Sequence, residues 1–270
     1  MPELPEVQTV LDTLKTRIRD RKINDIDILY EPIIVNDPLF FKEKLAGQHF
    51  REFLRRGKYL LLELDDVTLV SHLRMEGKYF IVDESYPLSR HDHVIFYLDD
   101  GSQLRYNDVR KFGRMEIIDK RADYDDFKDL GPEPFSAAFN ADYCLDYFKK
   151  HKKPVKEILL DQSFVAGIGN IYADEILFAI GIHPLSSAAD LDGNDAEKLI
   201  EETRRILKEA IAAGGTTIRS YTSSLGVTGR FQQSLKAHGQ EKCPQCGGDI
   251  AKIRVGGRGT YFCERCQVYK

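Results

Sequence analysis

Cys243-Pro244-Gln245-Cys246 and Cys263-Glu264-Arg265-Cys266 stand sixteen residues apart near the end of the chain. Thiolates two residues apart can bind one tetrahedral ion. Two such pairs at this spacing predict a single structural Zn²⁺ held by Cys243, Cys246, Cys263 and Cys266. Between the pairs, residues 252–255 and 260–262 read as the strands of a hairpin. Gly256 and Gly257 make it turn, and Arg258 sits at the tip. A glycine tip carrying one arginine is suited to touching a partner's phosphate. The fifth cysteine, Cys144, stands alone and reads as a small buried hydrophobe.

The charge around this module is uneven. Residues 219–270 hold nine Lys/Arg against three Asp/Glu, although the whole chain is at −4. Residues 119–146 hold eight acids and three bases. Lys149, Lys150, Lys152, Lys153 and Lys156 follow with no acid among them. Segregation of this kind fits a protein with one basic face, as nucleic-acid binders have.

Moving toward the N-terminus, the pattern is helical at residues 141–150, 155–161, 171–180 and 194–213. Gly167-Ile168-Gly169-Asn170 breaks it and would either offer backbone N–H groups to a phosphate at a helix start or form a tight interhelical turn. Residues 216–224 form a polar stretch with no hydrophobic period, a candidate lid. Gly131-Pro132-Glu133-Pro134 closes an acidic linker. Before it come apolar or alternating runs at 23–30, 59–64, 68–73, 79–82, 93–98 and 114–118, with turns at Asp65-Asp66 and Asp99-Asp100-Gly101. Hairpin-linked strands without intervening helices predict an antiparallel sandwich.

Two Gly-terminated loops, 72–77 and 108–113, carry Met75, Arg110 and Phe112. An apolar tip on a polar loop has the chemistry of a wedge that fills a base stack, and ordinary core packing is the alternative.

The chain opens Met1-Pro2-Glu3-Leu4-Pro5-Glu6-Val7, and apolar residues from Val7 to Ile18 at helical spacing predict a helix over 5–20. Loss of Met1 would free the secondary amine of Pro2. An α-amino group titrates near pH ~8, closer to neutrality than lysine, and its adduct with a sugar carbon is an iminium. Glu3 and Glu6 beside it could move protons. Proline and acids also suit an ordinary helix start. No run of about 18 apolar residues occurs, and the N-terminus is unlike a signal peptide, so a soluble cytoplasmic chain without membrane contact is expected.

Taken in order, these motifs resemble the formamidopyrimidine-DNA glycosylase family over essentially the whole chain. The resemblance rests on the Pro-Glu-Leu-Pro-Glu start, residues 55–59, 71–75, 108–113, 166–172 and 256–260. It implies an α+β multidomain fold. Residues 1–118 would form an N-terminal helix plus antiparallel β-sandwich, 119–135 a linker, 136–225 a helical helix–two-turns–helix domain with a lesion-capping loop, and 226–270 a C-terminal β-hairpin zinc finger. DNA would lie between the parts. By resemblance, Pro2 is the nucleophile that forms a Schiff base and Glu3 the acid/base group for opening the sugar. Lys58 and Arg258 serve β- and δ-elimination. Met75, Arg110 and Phe112 fill the duplex, and Glu6, His91, His151, Lys156, Asn170 and Tyr221 join the DNA-facing set. The partner would be duplex DNA with oxidised purines or abasic sites, and the working species a monomer. His151 stands where relatives often carry Lys, and Glu157 where Pro can occur.

Three other readings share some of these motifs. An endonuclease VIII-like enzyme would prefer oxidised pyrimidines. A silent damaged-DNA binder would retain the finger without the chemistry. A zinc-ribbon transcription factor would not need Pro2.

Overall fold

The computed structural model describes residues 1–120, 123–124, 127–216 and 229–270. The chain divides into two compact units, residues 1–124 with 214–229, and residues 125–213 with 230–270.

The first unit starts with helix α1 (Leu4–Ile18). It buries Leu4, Val7, Val10, Leu11, Leu14 and Ile18, and stops where Asp20 turns into the left-handed region at φ 61°. A four-stranded antiparallel sheet follows the order β1 (Ile23–Ile28), β6 (Asp92–Leu98), β7 (Ser102–Asn107), β5 (Lys78–Asp83). A second has the order β2 (Glu52–Arg56), β3 (Tyr59–Glu63), β4 (Val67–His72), β8 (Arg114–Asp119). Their inward side chains, among them Leu60, Leu62, Tyr79, Phe96 and Tyr106, share one core with α1, Phe41 and Phe50. Three connections cross between the sheets, and two of them, residues 73–77 and 108–113, are the apolar-tipped loops.

Three features of this unit depart from the sequence reading. Helix α2 (Pro38–Leu45) was not expected; Asp37 caps it by accepting the Phe40 N–H at 2.9 Å. Arg55 and Arg56 lie inside β2, and the turn is Gly57-Lys58, because Arg56 pairs with Tyr59. Strand β7 escaped the pattern because Gln103 and Arg105 are interior residues, 4% and 2% exposed. The Arg105 guanidinium is satisfied there by Gln103 Oε1 and the carbonyls of Tyr86 and Pro87. A buried arginine whose Nε and both Nη atoms reach acceptors looks polar in sequence and behaves as core.

The second unit holds α3 (Ala141–Lys150), α4 (Val155–Leu160), α5 (Asn170–Ile180) and α6 (Gly193–Ala212). Asn140 caps α3, accepting from Tyr143 N–H at 3.0 Å, and Asp192 caps α6, accepting from Asp195 N–H at 2.9 Å. Gly181 ends α5 in the left-handed conformation, φ 71°. Strands β9 (Ala251–Val255) and β10 (Arg258–Phe262) form the finger hairpin, with Arg258 opposite Val255. The tip is Gly256-Gly257, φ 53° and 76°, so Arg258 is the first residue after the tip rather than the tip itself. Two consecutive left-handed residues are what a tight two-residue hairpin demands.

Candidate active site and nucleic-acid interface

In the first unit the site is organised by the start of α1. Pro2 and Glu3 are buried, and Met1 is exposed. Glu3 is the helix N-cap, and its N–H donates to Glu6 Oε2 at 2.8 Å as part of a capping box. Two carboxylates at a helix N-terminus are favoured there by the exposed N–H groups. The other oxygen of Glu6, Oε1, accepts from the N–H of Thr216 at 2.7 Å and its hydroxyl at 3.0 Å. Glu6 therefore touches both the start of α1 and the entry to residues 217–228. Tyr221 and the rest of the expected lid lie outside the described residues.

Lys58 is 6% exposed in the β2–β3 turn. Arg55 fixes that turn to α1: its Nε donates to Gln8 Oε1 at 3.0 Å and one Nη to Gly57 O at 3.0 Å. His72, across from Tyr59, is buried, and its ring meets the tyrosine edge-on at 4.5 Å. Burial first, then the charges of Arg74 and Lys58, lowers the His72 pKa to about 3. The imidazole is neutral at physiological pH, and its Nδ1 accepts the Arg74 N–H at 2.9 Å.

The loops that cross between the sheets are built differently. Arg74 adopts φ 54°, leaving Met75 half-buried, and Gly77 N–H closes the loop on Leu73 O at 3.0 Å. In the second loop, fully buried Asp108 accepts three backbone N–H groups: Arg110, Phe112 and Gly113, at 2.8–2.9 Å. His93 Nε2 lies 2.8 Å from the Asp108 carbonyl oxygen. Arg110 and Phe112 are exposed at the tip, the guanidinium 4.8 Å from the phenyl centroid. His91 Nε2 accepts from Arg90 Nε at 3.0 Å, and His91 Nδ1 is buried without a partner among the described residues. Asp108 was not singled out in the sequence; its signal was its place just before a loop of polar residues, where an Asx carboxylate serves backbone N–H groups.

In the second unit, Asn170 opens α5 and its amide donates to Gly259 O at 2.9 Å, next to Arg258. Four residues on, fully buried Asp174 receives the Lys156 ammonium, faces His238 Nδ1 at 2.6 Å and accepts Tyr261 N–H at 3.3 Å. Lys156 is wholly enclosed. Its ammonium forms a buried ion pair with Asp174. The Gly167 N–H, expected to be open for a phosphate, donates to Gln162 Oε1 at 3.0 Å. His151 caps the C-terminus of α3, with Nδ1 2.8 Å from Tyr147 O and its ring stacked on Tyr147 at 4.1 Å.

The four cysteine sulfurs lie within 4.8 Å of one another, with Cys243–Cys266 at 3.7 Å and Cys246–Cys263 at 3.5 Å. Zn–S bonds of about 2.3 Å in a tetrahedron put sulfurs about 3.8 Å apart. The set fits one structural zinc ion.

Comparison with known proteins accounts for all of these parts together. Residues 1–115 match the formamidopyrimidine-DNA glycosylase N-terminal domain, 130–222 its H2TH domain, and 240–268 the zinc finger found in FPG and IleRS. A formamidopyrimidine-DNA glycosylase of Bacillus licheniformis is 48% identical, with 99% of each chain covered. One from Oceanobacillus iheyensis is 46% identical over 100% of this chain and 99% of its own. Among solved structures, Lactococcus lactis Fpg in complex with DNA containing an abasic site superimposes with TM-score 0.93 at 42% identity, over 98% of this chain and 99% of that one. The wild-type Lactococcus lactis protein with DNA containing N7-benzyl-Fapy-dG gives the same TM-score and identity.

Proposed function

The chain belongs to the formamidopyrimidine-DNA glycosylase family, and from that we propose a reaction path and an assignment of its residues. The protein is a DNA glycosylase of base-excision repair with a structural zinc finger. We assign it oxidised purines in duplex DNA as substrate, with strand cleavage to follow.

The observation that carries the assignment is the buried Pro2–Glu3 start of α1, fixed through Glu6. After removal of Met1, the Pro2 amine attacks C1′ of an extruded nucleotide. The bond from C1′ to the base breaks, the base leaves with the electron pair and takes up a proton, and Glu3 protonates the ring oxygen as the sugar opens. The C1′ iminium acidifies the C2′ proton. Its loss breaks the bond to the 3′ phosphate, and a second elimination breaks the bond to the 5′ phosphate. Lys58 moves protons in the first elimination. Arg258 meets the leaving phosphate of the second, where a fixed positive charge lowers the barrier. Zinc, when bound, supplies only the frame of the hairpin.

Extruding a base costs roughly a few kcal/mol, less for a damaged base. Met75, Arg110 and Phe112 offset part of this by taking the vacated space. His91, His151 and Asn170 are assigned to the DNA backbone, and Tyr221 to the segment over the extruded base. We assign it a monomeric working species acting on bacterial DNA in the cytoplasm.

Borohydride trapping on a duplex with one 8-oxoguanine opposite cytosine tests the path. The mature wild type is expected to form a covalent adduct that Pro2→Gly forms far less. No adduct there but a strong one with thymine glycol would move the substrate to oxidised pyrimidines. No adduct with either, despite tight binding, would defeat the catalytic assignment.

A further inference from the structure

We propose that Tyr106 is a positioning residue that sets the loops 73–77 and 108–113 as one preformed wedge. The proposal rests on the reading above, in which Met75, Arg110 and Phe112 enter the base stack.

Tyr106 is the penultimate residue of β7, fully buried, and pairs with Tyr79 on β5 and Val94 on β6. Its ring meets Tyr79 edge-on, centroids 5.2 Å apart, and the Tyr79 hydroxyl donates to Ser71 Oγ of β4 at 2.7 Å. Strands from both sheets thus fix where the Tyr106 ring points.

Its hydroxyl ends in a notch shared by the two loops. A methyl group on Gly113 would lie 1.7 Å from Tyr106 Oη, and one on Gly77 2.2 Å from the same atom. Real Cβ atoms essentially never approach within 3.0 Å, so neither position accepts a side chain while the hydroxyl is there. Neither glycine has positive φ. The reason for glycine here is space: the end of the Tyr106 side chain, Oη and then Cζ, fills it at both positions, and the Leu73 carbonyl also crowds Gly77.

Each loop has its own internal ties. The first has Gly77 N–H on Leu73 O and Arg74 N–H on His72; the second has the three N–H groups on Asp108. The Tyr106 hydroxyl is a contact common to both. A rigid spacer between Met75 on one side and Arg110 and Phe112 on the other means their separation is set before DNA arrives. Loop ordering then adds little to the cost of binding, which is how preorganisation raises the rate of a fit-dependent step.

Tyr106→Phe removes the spacer and keeps the ring. Stopped-flow fluorescence of a duplex with 8-oxoguanine, and 2-aminopurine beside the orphaned base in the other strand, reports wedge entry. Borohydride trapping on a single-stranded abasic oligonucleotide reports the Pro2 chemistry with no stack to enter. The expected result is a fluorescence phase about tenfold slower or more, with trapping within about twofold of wild type, as for a group that acts on positioning alone. Gly113→Ala, whose methyl must displace the hydroxyl, should show the same selective loss. Unchanged fluorescence kinetics in Tyr106→Phe, or a parallel fall in both assays for both variants, would overturn the proposal. A wild type that removes 8-oxoguanine with no fluorescence phase would instead defeat the wedge reading beneath it.

Discussion

Glu6 and Thr216, 210 positions apart, are joined twice: Glu6 Oε1 takes both the N–H and the hydroxyl of Thr216. The partner oxygen holds the Glu3 N–H. One buried carboxylate therefore fixes the residue next to Pro2 and the residue leading into 217–228. It needs acceptor oxygens on both sides, which a carboxyl group provides and an amide does not.

Glu6→Gln should be costly for that reason. The amide NH₂ would face either Glu3 N–H or the Thr216 donors, leaving buried donors unmet at about 1–3 kcal/mol. Urea denaturation should show this loss, and single-turnover excision of 8-oxoguanine should fall more than trapping on an abasic strand. Stability and excision both equal to wild type would contradict the bridge.

Asp108→Asn tests how the Phe112 loop is set. Asparagine keeps one acceptor oxygen, so one or two of the three N–H groups of Arg110, Phe112 and Gly113 lose their partner. We expect a stability loss of about 1–3 kcal/mol and cleavage by protease within residues 108–113, where the wild type resists. A protease pattern like the wild type's would count against Asp108 as the organiser.

The buried Lys156–Asp174 pair gives a non-additive outcome. Either Lys156→Met or Asp174→Leu breaks the buried pair by removing one partner, costing about 3–5 kcal/mol. Removing both should cost less than the sum of the two, as for residues in direct contact. The tie from Asp174 to Tyr261 N–H means Asp174→Leu should also weaken DNA binding. Additive stability losses would show that the pair is not coupled.

What the sequence disclosed and what it withheld divide along physical lines. The cysteine spacing is local and dictates a tetrahedral site, so it was readable, as was the Pro2–Glu6 start with its helix period. Strand β7 was hidden because Arg105 and Gln103 are interior groups whose partners, the 86–87 carbonyls among them, are set by tertiary contacts. Lys156 read as one of a lysine run, and only the fold brings Asp174 to it. Tyr106 looked like any core tyrosine; its meaning lies in two glycines that approach it from separate loops.

His72 gives the acid side of stability a specific source. Its folded pKa, about 3, lies below the ordinary 6.5, because burial and then Arg74 and Lys58 disfavour the charged ring. The unfolded chain therefore binds more protons between these values. The stabilisation is fully present above pH 6.5 and is lost as pH falls toward 3, at up to about 1.4 kcal/mol per pH unit for one proton. His72→Gln should flatten the slope of unfolding free energy against pH in that window. A slope identical to wild type would assign the acid sensitivity elsewhere.

Zinc removal separates the finger from the Pro2 terminus. A hairpin of two five-residue strands has too little apolar area to hold its register alone, so the ion's binding energy is its folding energy. The tetrathiolate holds the base of β9–β10, and Arg258 stands at the far end. Chelation, with metal loss verified by elemental analysis, should weaken binding to a duplex with a stable abasic analogue by about tenfold or more, the loss of one well-placed charged contact. Pro2 lies in the other compact unit, so borohydride trapping on a single-stranded abasic oligonucleotide should persist. Full duplex affinity in the metal-free protein would show that the hairpin needs no zinc. Loss of trapping together with affinity would show that the ion holds far more of the protein than its finger.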